Sequence, residues 1–283
     1  PVLPGDMIML SQDDDDVLTR FVVEYAPTDS TNLYLQRSEG FKGGGFSAIA
    51  LFSTDPIGAY GPEENETWEA GLKADWFDGT LRTNLAYFMS DIEDIQQNST
   101  EDAGGGQTEF PVENVGDAEI DGLEFEIYWS PVDRLNFFLV GSLLDGSYGD
   151  LVDGAAASRA EQNLIDPNGN PVKAETPQTP DYAYTIGFDY GFEFENAAFQ
   201  GASFGVDYYK VDNYVSAATN DALNPGFDTL NAHINVDIDD NWQLSLTGKN
   251  ITDEFIVVSG SRTLGGFVTL PPREVLFTIN YRR

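Results

Sequence analysis

The sequence predicts an all-β protein: the wall of an antiparallel transmembrane β-barrel, with about eleven strands present and more needed to complete it. Three observations predict this. Segments of roughly ten residues alternate apolar and polar side chains at period two, as a sheet with one apolar and one polar face requires. The connections between them alternate short and long, five of each, which is the pattern of a barrel with tight turns at one membrane face and long loops at the other. Aromatic residues crowd beside the short turns: Tyr25, Trp76, Phe77, Trp129, Phe192, Phe194, Trp242 and Tyr281. Their amphipathic rings suit a membrane interface. A soluble antiparallel sandwich would also alternate, but under that reading the loop asymmetry is a coincidence.

The elements follow in order. Val17–Ala26 reads as a strand with Val17, Thr19, Phe21, Val23 and Tyr25 on one face, and Pro27 to Ser30 supply turn chemistry. Thr31–Ser38 is the second strand, followed by a long loop from about Glu39 to Asn65. Glu66–Phe77 aligns Trp68, Ala70, Leu72, Ala74 and Trp76, and Asp78-Gly79 signals a tight hairpin into a strand from Thr80 to about Gln96. After a loop to Gly116, Asp117–Trp129 aligns Leu123, Phe125, Ile127 and Trp129. Ser130 to Asp133 turn the chain into Arg134–Ser147, where Phe137-Phe138-Leu139-Val140 blurs the period. The longest loop runs from about Tyr148 to Pro180. Asp181–Phe194, a turn at Glu195-Asn196, and Ala197–Asp212 form the next pair. Phe227–Ile238, a turn at Asp239-Asp240, and a strand from Asn241 to Gly248 lead through a Gly- and Pro-containing loop to the last strand, with Val275, Phe277, Ile279 and Tyr281 in phase.

Parity extends the argument. An odd number of strands cannot close as an up-and-down antiparallel ring without a parallel seam, so eleven strands belong to a larger even-numbered barrel. If the C-terminus is periplasmic, the first strand also descends, and the run Asp13 to Asp16 lies outside the cell. The chain begins at Pro1 with neither an initiator Met nor a signal peptide and reads as a fragment or a processed piece.

Composition excludes several functions. The 283 residues carry 48 acidic and 14 basic side chains, a formal net charge of -34. That excludes a nucleic-acid-binding surface, which needs clustered Lys and Arg. The absence of cysteine excludes disulfides and thiolate chemistry, and one histidine, His233, leaves a catalytic triad a single candidate base. No apolar run reaches the length of a transmembrane helix.

Few motifs suggest chemistry, and no cofactor is expected. Gly43-Gly44-Gly45 and Gly104-Gly105-Gly106 do not lead into Lys-Ser/Thr or a helix, so they are loops rather than phosphate cradles. Asp13 to Asp16 reads as a solvated loop tip without metal-ligand spacing, and Asp166 to Asn170 lacks the Gly and terminal Glu of a calcium loop. His233 falls on the polar side of its strand and reads as lumen-lining. Glu63-Glu64 and the pair Glu124 and Glu126 are ordinary in so acidic a chain. Asn65-Glu66-Thr67, Asn98-Ser99-Thr100 and Asn250-Ile251-Thr252 match the glycosylation pattern, which has no bearing if the barrel sits in a bacterial outer membrane.

Several stretches resemble TonB-dependent outer-membrane receptors. They are Asn32-Leu33-Tyr34-Leu35-Gln36-Arg37-Ser38-Glu39-Gly40-Phe41-Lys42-Gly43-Gly44-Gly45-Phe46, Thr67 to Lys73 with Trp76 to Gly79, Asn114-Val115-Gly116-Asp117-Ala118-Glu119-Ile120-Asp121-Gly122-Leu123-Glu124, Leu246 to Asp253, and Pro272-Arg273-Glu274 leading to Tyr281-Arg282. The resemblance spans nearly the whole chain in order. It implies that residues 1–283 are the C-terminal half of a 22-stranded barrel domain in the outer membrane, with the plug domain and its TonB-contacting segment N-terminal to them. Arg283 stands where the family usually ends on Phe or Trp. The implied activity is active transport, not catalysis: uptake of a scarce ligand such as a ferric siderophore, cobalamin or an oligosaccharide. The implied partners are TonB, the lipid bilayer with its lipopolysaccharide, the barrel assembly machinery and a small-molecule ligand. A passive porin-like channel and a surface receptor without energy coupling remain the alternatives. Candidate ligand-binding residues lie in the long loops and at their bases: Arg37, Lys42, Tyr60, Tyr148 and Tyr214. The acidic balance favours a neutral or cationic ligand over a highly anionic one.

Overall fold

The computed structural model describes residues 10–47, 58–98, 101–104, 107–109, 111–151, 176–194, 199–215, 223–261 and 266–282. Eleven strands form one sheet: β1 (Arg20–Thr28), β2 (Thr31–Lys42), β3 (Glu63–Trp76), β4 (Leu81–Glu93), β5 (Gly116–Val132), β6 (Leu135–Leu151), β7 (Tyr182–Glu193), β8 (Gly201–Val211), β9 (Phe227–Asp237), β10 (Trp242–Lys249) and β11 (Glu274–Tyr281). Each pairs antiparallel with the next, so spatial order is chain order and β1 and β11 are the sheet's edges. This is the all-β, antiparallel wall that the alternation predicts. Asp166 to Asn170, the turn at Glu195-Asn196 and Arg283 lie outside the described residues.

Register fixes the two faces, because directly opposed residues in an antiparallel pair share a side. Leu35 opposes Val23 and Ala70. Ala70 opposes Tyr87, and Tyr87 opposes Leu123. The row continues through Leu143 and Tyr182. Farther along, Ile234 opposes Phe204 and Leu246, and Leu246 opposes Phe277. Large apolar side chains on this face stay solvent-accessible even on interior strands, Tyr87 at 47% and Ile234 at 50%. Water does not tolerate so continuous an apolar band, and lipid does. On β3 the band runs from Trp68 to Trp76, roughly 26 Å along the strand at about 3.3 Å per residue.

The opposite face is mostly polar. Tyr34, Glu69, Asn84, Glu126 and Ser142 lie on it, as do Asp207, His233 and Ser245. Phe138 and Val140 are apolar members of this face, which is why β6 blurs the period.

The short connections are tight. Residues 77–80 join β3 to β4, with Phe77, Asp78 and Gly79 all at positive φ and Gly79 at +85°. Trp76 opposes Leu81, so this hairpin has four connecting residues and not two. Strand β5 bulges after Trp129 and continues to Val132, which opposes Leu135, leaving Asp133 and Arg134 as the turn, with Arg134 at φ 67°. At the other end the strands run longer than their alternation. β2 and β3 stay paired as far as Lys42 and Glu63. Beyond them lie small two-stranded pieces: 45–46 with 59–60, 96–98 with 112–114, 214–215 with 223–224, and 257–261 with 266–269.

Candidate functional site

The polar face carries a hollow. Midway along that face, Tyr34, Glu69, Lys73, Asn84, Glu124 and Glu126 line this hollow of about 470 Å³. The Tyr34 hydroxyl donates to Glu69 Oε1 at 2.6 Å, and Asn84 Nδ2 donates to Glu126 Oε2 at 2.8 Å. The Lys73 ammonium lies 5.7 Å from the centroid of the Tyr34 ring, within cation–π range. Three carboxylates against one ammonium make the hollow attractive to cationic groups and repellent to anionic ones.

Farther round, cross-strand polar pairs cover the wall. Asn231 Nδ2 donates to Asp207 at 2.7 Å, Asn235 Nδ2 to Ser203 Oγ at 3.2 Å and Gln243 Nε2 to Asp237 at 2.9 Å. His233 lies on this face, as its place in the alternation predicts. Its Nε2 is 3.0 Å from Asp189 Oδ1, two strands away. Gly205 of β8 stands between them, and a side chain there would collide with the His233 ring and the Asp189 carboxylate. The pair exists because that strand offers no Cβ.

At the long-loop end, three of the five candidate residues converge. Gln96, 9% exposed, donates through Nε2 to the carbonyls of Lys42 (3.2 Å), Gly43 (3.1 Å) and Gly61 (2.9 Å). Its backbone N–H donates to Glu63 Oε2 at 2.6 Å, the same oxygen that lies 3.5 Å from the Lys42 ammonium. The Lys42 side chain is 58% exposed. Asn114 Nδ2 donates to the carbonyls of Gly61 (3.1 Å) and Asp94 (2.6 Å), while its Oδ1 accepts from Gly61 N at 2.6 Å. Tyr60, next to Gly61, pairs with Gly45 and accepts at its carbonyl from Gln12 at 3.3 Å. The Tyr148 hydroxyl donates to Gln97 Oε1 at 2.6 Å. Asp14, in the exposed aspartate run, accepts from Gly44 N at 2.8 Å and closes over the same loop.

Tyr214 belongs to a second group. Its hydroxyl donates to Val258 O at 3.4 Å and accepts from Asn224 Nδ2 at 3.0 Å, and burial pushes its pKa up. Asn224, 2% exposed, also donates to Val257 O at 2.7 Å. Asn250, 5% exposed, accepts at Oδ1 from Glu254 N and donates through Nδ2 to Glu254 O and Pro271 O, tying both ends of the last long loop.

Arg37 lies apart from both groups, on the apolar face one row above Leu35. Its guanidinium pairs with Glu39, at 2.6 Å, and with Glu66. Glu39 also accepts from the Thr19 hydroxyl and N–H, and Trp68 Nε1 donates to Glu66 at 2.8 Å.

The amides Gln96, Asn114, Asn224 and Asn250 are not among the residues that sequence alone singles out for ligand binding. Asn114 and Asn250 do lie in stretches that carry the family resemblance, and that is the signal available for them.

The family model described as "TonB dependent receptor-like, beta-barrel" matches residues 8–251. Among solved structures, the ferric yersiniabactin uptake receptor FyuA from Yersinia pestis superposes with a TM-score of 0.74 at 15% identity, over 95% of this chain and 38% of that one. The siderophore receptor PiuA from Acinetobacter baumannii gives 0.67 at 17% identity, over 93% and 35%. The ferric-catecholate import receptor Fiu from E. coli K12 gives 0.64 at 16% identity, over 93% and 34%. At such identities the likeness is one of fold. The chain spans under two fifths of the length of each of these three receptors.

Proposed function

The chain belongs to the TonB-dependent receptor-like β-barrel family, and on that premise we propose that residues 1–283 are the C-terminal part of the barrel domain of an outer-membrane active transporter. Its ligand is a scarce compound such as a ferric siderophore, cobalamin or an oligosaccharide, and the charge of the wall favours neutral or cationic forms. The observation that carries this reading is the two-sided sheet: a continuous apolar band outside, polar pairs inside, and every long connection at one end. The short turns and the C-terminus face the periplasm, and the long loops face the medium. Work is supplied by TonB acting on a plug N-terminal to this segment. The other partners are the bilayer with its lipopolysaccharide and the barrel assembly machinery. Such a wall binds and passes its ligand and breaks no bond.

Uptake by cells expressing the whole protein tests this. Radio-iron chelates of neutral, cationic and anionic charge, labelled cobalamin and labelled oligosaccharides are offered with and without a protonophore, and in cells with and without TonB. Saturable accumulation of one neutral or cationic ligand among these, abolished by the protonophore or by loss of TonB, is expected. Accumulation indifferent to both identifies a passive channel, and binding without accumulation identifies a surface receptor.

A further inference from the structure

Lys42, Tyr60 and Tyr148 are far apart in the chain, yet the dipeptide Gln96-Gln97 reaches the first and last of them. Gln96 holds Lys42 twice: its side chain binds the Lys42 carbonyl, and its backbone N–H shares Glu63 Oε2 with the Lys42 ammonium. The same side chain holds Gly61, the residue after Tyr60, and Gln97 receives the Tyr148 hydroxyl. From this geometry we infer that Gln96 is the positioning residue of a recognition surface made by Lys42, Tyr60 and Tyr148, and that the described bases of the first three long loops move as one body. The role in recognition rests on the transport reading above. The coupling of the loops does not.

The chemistry favours an amide at this position. Three carbonyl oxygens converge on one nitrogen, and a buried carbonyl without a donor is costly. Methionine matches glutamine in length but donates nothing. Lysine offers three N–H donors from about the same reach. If positioning is the role, Gln96→Met loses it and Gln96→Lys regains much of it. A second body, held by Asn224 and Asn250, contains its own bonds and serves as the internal control.

The test has a ligand-free arm and an uptake arm, both on the full protein. This chain has no cysteine, so spin-label cysteines can be placed at Gly58 and Gly149. Both are exposed, and a Cβ at Gly58 meets nothing within 4 Å while one at Gly149 meets only ordinary contacts. A control pair goes at Asn213 and Glu254. Gln96→Met is expected to broaden the 58–149 distance distribution and leave the 213–254 distribution unchanged, and Gln96→Lys to narrow the first again. An unchanged 58–149 distribution in Gln96→Met overturns the coupling, as does equal broadening of both pairs. In the uptake arm, the chelate, cobalamin or oligosaccharide accumulated by wild type is expected to show a roughly tenfold higher half-saturation in Gln96→Met with a similar maximal rate. A fall in maximal rate alone overturns the recognition role. Absence of uptake of chelates, cobalamin and oligosaccharides alike in wild type defeats the transport reading, and with it the recognition role, while the distance measurements still decide the coupling.

Discussion

The apolar band has two rims, and they are made of different chemistry. Beside the short turns it ends in rings: Trp129 stacks on Phe137 with centroids 5.5 Å apart, and Trp242 lies 4.7 Å from Tyr281. Beside the long loops, on the same face, it ends in carboxylates. Glu39 opposes Glu66, Glu66 opposes Asp91 and Asp91 opposes Glu119, so four neighbouring strands carry acids in one row. Rings tolerate a graded interface, since one edge is apolar and the other polar. Carboxylates do not enter hydrocarbon without a large penalty. Along β2 to β5 the turn-side boundary is therefore soft and the loop-side boundary hard, and the carboxylate row limits how deep these four strands sit.

The largest test of this contrast is a charge in the middle of the band. Leu85 lies on the lipid-facing side and its neighbour Asn84 on the polar side, at the same height. Leu85→Arg is expected to cost about 2–4 kcal/mol of folding stability in lipid vesicles, and Asn84→Arg less than about 1 kcal/mol. Equal costs would sink the assignment of faces. Next, Trp129→Glu removes a stacked ring and puts a carboxylate at the soft rim, an expected loss of about 1–2 kcal/mol. Asp91→Leu instead adds one apolar row at the hard rim. It is expected to leave stability within about 0.5 kcal/mol while drawing the sheet deeper, read as reduced quencher access to a fluorophore on the loop side.

The two rims also explain how much of the fold was legible in the sequence. A wall between lipid and lumen writes its faces into the chain, so Trp68 to Trp76 or Leu123 to Trp129 could be placed by period alone. Near the loops that signal fades, because both faces are polar. Glu63, Glu64 and Glu66 alternate nothing, and the sequence therefore starts β3 at Glu66 and ends β2 at Ser38, although backbone pairing continues to Lys42 and Glu63. The loop-base amides were illegible for another reason. What Gln96 does depends on where the carbonyls of Lys42, Gly43 and Gly61 arrive, and no local pattern records that. Arg37 turned on parity: Gln36 faces the lumen and Arg37 the lipid, a distinction set by register and not by nearness to a loop.

The smallest expected effect belongs to Arg37, and it examines the hard rim most directly. From β2 to β6 this guanidinium is the single cation of the lipid-facing acidic rim among the described residues. It touches Glu39 and Glu66, which oppose each other on neighbouring strands. Arg37→Leu leaves two carboxylates facing each other with no cation between them. Because the groups are solvent-accessible, salt screens the repulsion, and the loss should be modest. Its signature is therefore the salt dependence and not the size: a lowered unfolding midpoint at low ionic strength that recovers as salt is added. Adding Glu66→Gln to Arg37→Leu removes one of the two charges and should recover most of the low-salt loss. A loss unaffected by salt, or one that Glu66→Gln fails to relieve, would mean that Arg37 stabilises this rim through the packing of its stem and not through charge.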